Sequence, residues 1–184
     1  MRRAIRSALL VAAVMGMPDA RADQTDPRLG PLFDRLKAAA DAAVARPIEL
    51  EIWRIWGETP DPENRALLER GVDAMGAGDT RTARAAFDLL VIRAPRFAEG
   101  WNKRATLLYL VGDDDASVAD VRRTLVLEPR HFGALSGLGL INARRDRPEL
   151  ALHSFEAALK VHPFLPGAKA NVDALREQLR GDPI

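Results

Sequence analysis

Apolar residues recur along this chain in two-helix blocks. From Trp101 to Val111 they fall at three- and four-residue spacing, which predicts a helix. A Gly-Asp turn follows from Gly112 to Asp115, then a second helical stretch that stops at Pro129. The same block returns in step on both sides. Pro95, Pro129 and Pro163 are 34 residues apart, and Gly78 and Gly112 share that step with Asp146 in the third place. Phe87, Val121 and Phe155 keep it too, as do Leu67, Trp101 and Leu135, and the small Gly71, Ala105 and Gly139. Five registered columns predict three copies of one helix-turn-helix unit, at 64–97, 98–131 and 132–165.

The flanks carry weaker versions of the pattern. Residues 23–30 are polar and are expected to form a flexible lead. Pro31 opens a helical stretch (Leu32, Phe33, Leu36, Ala39, Ala40, Ala43, Val44) that the Arg46-Pro47 pair should break, because a residue before proline avoids helical torsions. A second amphipathic stretch, Ile48 to Trp56, ends at Gly57 and the Pro60-Asp61-Pro62 cluster. Stepped back one period, residues 31–63 become a degenerate helical hairpin, expected to cap the N-terminal end. Residues 166–180 predict a last amphipathic helix with Val172, Leu175 and Leu179 inward, the polar-backed cap that an open solenoid end requires.

A 34-residue step with two helices per unit resembles the tetratricopeptide repeat (TPR), over Asn64 to Pro163. The resemblance implies an all-α, right-handed superhelical array of helix-turn-helix repeats, a TPR-like solenoid with a C-terminal cap helix. In such an array Leu67, Trp101 and Leu135 wedge between the helices of their own unit. Gly71, Ala105 and Gly139 let those helices approach, and the three prolines end the second helices. Arg70 and Arg104 depart from the family pattern, standing where it usually has an apolar residue. So do Ala74 and Leu108, which stand where it usually has Tyr.

The resemblance also implies a concave groove lined by the first helix of each unit. The register then nominates Arg65, Leu68, Val72 and Met75 in the first unit, with Glu69 beside them. It adds Glu99, Asn102, Lys103, Thr106 and Tyr109 in the second, and Ser136, Leu140 and Arg144 in the third. Gly133 and Gly137 leave the third helix nearly bare there, either to admit a partner backbone or because Gly133 is near the helix start and Gly137 eases packing. The carboxylate clamp of one TPR subclass is matched only at Lys103. The expected function is therefore an adaptor or scaffold that binds a peptide or protein surface. The alternative is an assembly or maturation subunit of an envelope complex, docking through the hairpin that carries Trp53 and Trp56.

Composition narrows this further. The chain has no Cys, which excludes disulfides and thiolate sites. Its net charge of +1 argues against nucleic acid as a partner. No pair among His131, His153 and His162 has metal-ligand spacing, and no nucleophile has a supporting context, so neither metal, cofactor nor enzymatic activity is expected. The run Asp113-Asp114-Asp115 is expected to be a polar turn whose last acid caps the next helix. Arg far outnumbers Lys and Ala is abundant, as in a GC-rich bacterial genome. Residues 1–22 combine three early Arg, an apolar run from Ser7 to Met17 and the small-x-small Ala20-Arg21-Ala22. That is the form of a cleavable signal peptide, too short for a membrane span of roughly 20 residues. Cleavage after Ala22 would leave a periplasmic or secreted chain without a membrane span. No Cys follows to carry a lipid anchor.

Overall fold

The computed structural model describes residues 23–181; the expected signal segment, 1–22, lies outside them. Nine helices run in order through the described residues: α1 Leu29–Lys37, α2 Ala42–Gly57, α3 Pro62–Gly76, α4 Thr80–Arg93, α5 Ala98–Leu110, α6 Asp114–Leu127, α7 Phe132–Arg144, α8 Pro148–Val161 and α9 Ala168–Gly181. The densest packing joins α3 to α4, α5 to α6 and α7 to α8, with α9 laid on α8. The architecture is an all-α solenoid of helix pairs.

Side-chain caps set most helix starts. The carboxylates of Asp41, Asp61, Asp79 and Asp113 accept first-turn backbone N–H groups of α2, α3, α4 and α6. In the acidic run it is the first acid, Asp113, that caps, because the helix begins two residues earlier than its composition suggests. Asp114 and Asp115 instead pair with Arg144 and Arg145 across the turn of the next unit. Between paired helices the chain turns through positive φ at Gly78 (76°) and Gly112 (84°), and at Asp146 (54°) in the third unit. Aspartate is among the few side chains that visit this region routinely, so the third turn keeps its shape without glycine.

Helix α2 runs unbroken through Pro47, contrary to the break expected there. Proline in the second turn costs one helical hydrogen bond, and the Asp41 cap starts the helix upstream of it. The break between α1 and α2 falls at Ala38–Asp41 instead.

Close helix approach depends on small residues facing aromatic ones. A Cβ at Gly71 would lie 2.3 Å from the Phe87 ring, and one at Gly139 would lie 2.8 Å from Phe155. The middle unit has Ala105 in this place, and there the facing residue is the smaller Val121. Gly71→Ala and Gly139→Ala should each destabilise the fold by about 1–3 kcal/mol through overpacking, outweighing the roughly 1 kcal/mol that alanine gains in a helix. Urea denaturation checks this: an unchanged or raised midpoint would show that the rings simply move aside.

Arg104, which departs from the repeat pattern, earns its place by ion pairing. Its guanidinium grips both Asp120 oxygens at 2.7 and 2.8 Å and reaches Asp88 at 2.9 Å, tying α5 to α6 and α4. It also lies 5.0 Å from the ring of Trp101, whose indole donates to the Pro95 carbonyl.

The N-terminal hairpin does not take the place of a preceding repeat. Its buried residues (Leu29, Leu32, Phe33, Leu36, Ile48, Ile52, Ile55, Trp56) share one core with Phe132, Phe155, Leu165, Val172 and Leu175 of the third unit and α9. The first unit has a separate cluster around Leu68, Phe87 and Leu90. The hairpin therefore folds back over the repeats instead of capping α3 and α4. The lead is not free either: Gln24 donates to the Arg96 carbonyl and accepts from the N–H of Ala98, capping α5 where Phe97 has no side chain to do so. Buried Asp26 holds Arg28, which extends to Glu58 at the far end of α2.

Candidate functional site

Helices α3, α5 and α7 present the face nominated by the register, and the hairpin divides it in two. Trp53 lies on the first turn of α7 and beside Lys103 in the second turn of α5. A Cβ at Gly133 would meet its ring at 2.5 Å, and the Lys103 ammonium sits 5.4 Å from its centroid. Trp56 stacks on His131 with centroids 4.1 Å apart and planes 8° apart, and Arg130 covers Phe33. Gly133 is thus glycine because the chain's own Trp53 fills the space that a side chain would need.

Beneath this cover lies a buried polar network. Glu99 is 2% exposed and accepts from His131 Nε2 (3.0 Å) and Asn102 Nδ2 (3.0 Å), and pairs with Lys103 Nζ at 3.1 Å. The Ala134 N–H donates to His131 Nδ1, so the ring caps α7 and carries its proton on Nε2. Burial alone would raise the Glu99 carboxyl, yet the Lys103 charge and the His131 hydrogen bond hold it below the ordinary value. Glu99 and Asn102 were expected to face a partner. The structure corrects this: Glu99 is buried beneath the hairpin, Asn102 is buried at the groove edge with its amide given to Glu99, and Lys103 is committed to Glu99 and Trp53.

A second histidine faces the hairpin from the corner after α8. His162 is buried, edge-on to Phe132, with Nε2 3.5 Å from Glu49 of α2 and no hydrogen-bond partner. Burial pushes its pKa below the ordinary 6.5, and Glu49 only partly offsets that. The unfolded chain then takes up a proton first as pH falls, so stability is full above about 6.5 and declines below it. A His162→Leu variant should show a flatter stability curve between pH 7 and 5, measured by urea melts. An equal slope would place the titration elsewhere. Both histidines are buried in the corners between helices; only His153 is exposed.

The rest of the nominated face remains open. Val72 and Leu140 are 37% and 38% exposed, Thr106 is exposed, and Met75, Tyr109 and Ser136 are half-buried. Leu68 belongs to the core of the first unit, and Arg65 donates to the Thr59 carbonyl. Arg144 is held by Asp114 and the Tyr109 carbonyl, with its guanidinium 3.7 Å from the Tyr109 centroid. Between α5 and α7 the open part deepens into a cleft of about 220 Å³, closed at one side by Leu165 and Pro166. Sequence reasoning missed these last two. They follow the third repeat, and only the turn into α9 brings them back to the groove. A larger depression of about 700 Å³ lies outside the groove against α9, lined by Leu152, Leu179 and the charged Asp173, Arg176, Glu177 and Arg180.

Comparison with known proteins fits this geometry. A TPR repeat-containing protein of Rhizobium etli is 33% identical over 155 residues, covering 84% of this chain and 76% of that protein. The chain belongs to the TPR family. No protein-family model matches it. Among solved structures, the TPR domain of Sgt2 from Aspergillus fumigatus superposes with a TM-score of 0.62 at 20% identity, covering 68% of this chain and 88% of that domain. The first TPR of Spaghetti (RPAP3), bound to the HSP90 peptide SRMEEVD, gives 0.62 at 17% identity, with 65% and 94% covered. MamA gives 0.60 at 17% identity, with 83% and 82% covered. These likenesses show that this TPR protein shares their fold. None of its described helices is long and apolar enough to cross a membrane.

Proposed function

We propose that this TPR protein is a protein-binding adaptor that receives a segment of a partner polypeptide in the open part of its concave face. The observation that carries this reading is the cleft between α5 and α7, where Tyr109, Thr106, Ser136 and Leu140 remain accessible although the hairpin covers the rest. A TPR domain of the same fold holds an HSP90 peptide, which lends the reading support. No catalytic residue is assigned. The alternative of docking through the tryptophans loses its anchors, since Trp56 is 1% exposed and Trp53 is turned onto α7. We place the protein's work outside the cytoplasm, on the basic and apolar character of residues 1–22 alone. An alkaline phosphatase fusion to residues 1–30 that stayed inactive would remove that placement.

A random-peptide display selection tests the adaptor reading, with Gly137→Leu as the filled-groove control. Gly137 lies inside α7 with open space where a Cβ would point. Leucine there should cost no stability, because glycine is about 1 kcal/mol worse than alanine in a helix interior. Peptides enriched on the native protein should bind the variant at least tenfold more weakly. No enrichment, or equal binding to both proteins, would count against a concave-face site.

A further inference from the structure

The cleft has a lining that selects a chemical class of partner. None of its lining side chains is charged: the walls are Ala105, Val121, Ala134, Leu140, Ile141 and Leu165, with amide or hydroxyl groups at Asn102, Thr106, Tyr109, Ser117 and Ser136. Two cations flank the cleft and both are already paired: Lys103 with Glu99, and Arg144, which lies against the Tyr109 ring, with Asp114. A carboxylate entering here would lose its hydration and find no free positive charge, a cost that buried ions avoid only when paired. An aliphatic side chain loses nothing comparable and gains by leaving water.

The shape agrees with the charge. A cleft of about 220 Å³ has room for one large side chain, and it opens over Gly137, where no atom comes within 4 Å of a built Cβ. Glycine inside a helix that packs nothing leaves a flat floor against which a partner's main chain can lie. The hydroxyls of Ser136 and Tyr109 stand at this open part as neutral hydrogen-bonding groups suited to peptide amides. The floor is also short, because Trp53 ends it one turn away at Gly133.

We infer that the cleft between α5 and α7 anchors a single aliphatic side chain of an uncharged peptide segment and discriminates against acidic peptide ends. This rests on the concave-face reading above and specifies the partner that it takes. The occupant is a short stretch of neutral polypeptide with one leucine-like residue, bound by burial of that residue and by neutral hydrogen bonds to its backbone.

Tyr109 is the only tyrosine in the chain, so fluorotyrosine labelling gives one fluorine NMR resonance, located in the cleft. Four probes would be titrated: the blocked peptide acetyl-Gly-Ser-Leu-Ser-Gly-amide, its Leu→Ala and Leu→Asp versions, and the leucine peptide with a free C-terminal carboxylate. The blocked leucine peptide should shift the resonance saturably. The alanine version should bind about tenfold or more weakly, as expected for the lost apolar burial. The aspartate and free-acid versions should bind no better than alanine. Gly137→Leu should abolish the shift while helical circular dichroism is unchanged. Equal or tighter binding of either acidic probe would overturn the inference, as would a resonance that no probe moves or one that moves equally in Gly137→Leu. The display selection judges the concave-face reading independently: enriched peptides rich in carboxylates would retain that site and discard the neutral anchor.

Discussion

Trp56→Ala should lower the stability of this protein by about 3–5 kcal/mol, as expected when a buried aromatic side chain is removed from a core. For a chain of this size that corresponds to a fall in Tm of roughly 6–20 °C. Trp56 is 1% exposed and lies where three elements meet: it stacks on His131 before α7, tilts against Phe33 of α1, and packs on Phe132. Truncation would leave a cavity between the hairpin and the third unit that none of these rings can fill without abandoning another contact. Trp101→Ala is the natural comparison, because Trp101 is half-buried beside Arg104 and Arg123 and should cost less. Thermal melts followed by circular dichroism at 222 nm would separate the two. A Trp56→Ala protein melting within about 2 °C of the native one would mean that the hairpin rests on the repeats without stabilising them.

Glu99→Ala should be of similar severity, for an electrostatic reason. Removing the carboxylate leaves the His131 Nε2–H, the Asn102 amide and the Lys103 ammonium without their acceptor under a cover of tryptophan. Breaking a buried charged cluster by deleting one partner typically costs about 3–5 kcal/mol. Glu99→Gln should fall between, since it keeps the volume but offers only one accepting oxygen to three donors. The native carboxyl is held below the ordinary value of 4.5. Its contribution is therefore complete above that pH and is lost as pH falls through the lower, folded value. Both variants should show a shallower loss of stability in acid. An acid limb as steep as that of the native protein would assign that limb to other carboxylates.

The repeats were legible because their physics is local. A small residue facing an aromatic one, a turn that needs positive φ and a proline after each second helix all recur within one 34-residue period. The compensated pairs Gly71/Phe87 and Ala105/Val121 could be matched by register alone. The groove was legible only in outline. Tyr109, Thr106, Ser136 and Leu140 lie on the open face as the register predicts, whereas Glu99 and Asn102 lie on the same helix faces and are buried. Nothing in the period of α5 distinguishes these two groups; what separates them is tertiary, the hydrogen bond that His131 makes to Glu99 from 32 residues on and the Trp53 ring placed beside Lys103. Gly133 held the one local hint, a bare position on a helix that later proved to be full. The hairpin misled for a related reason. Its apolar spacing is compatible with stacking on the first unit, and only the matching surface around Phe132 and Leu165 draws it to the third.

The return of the hairpin to the far end of the array has a consequence for how the chain can vary. In a simple solenoid each unit touches only its neighbours, so units can be added or removed and the ends can fray independently. Here Leu29 and Leu175, 146 residues apart, belong to one core, and Gln24 is fastened to the corner between the first two units. An extra 34-residue unit inserted between the second and third would carry the Phe132 corner away from the one that Gln24 holds. The hairpin could then reach one but not both. The spacing between these two corners is thus fixed by the hairpin that spans them, and the first helices can complete their core only after the third unit and α9 have been made.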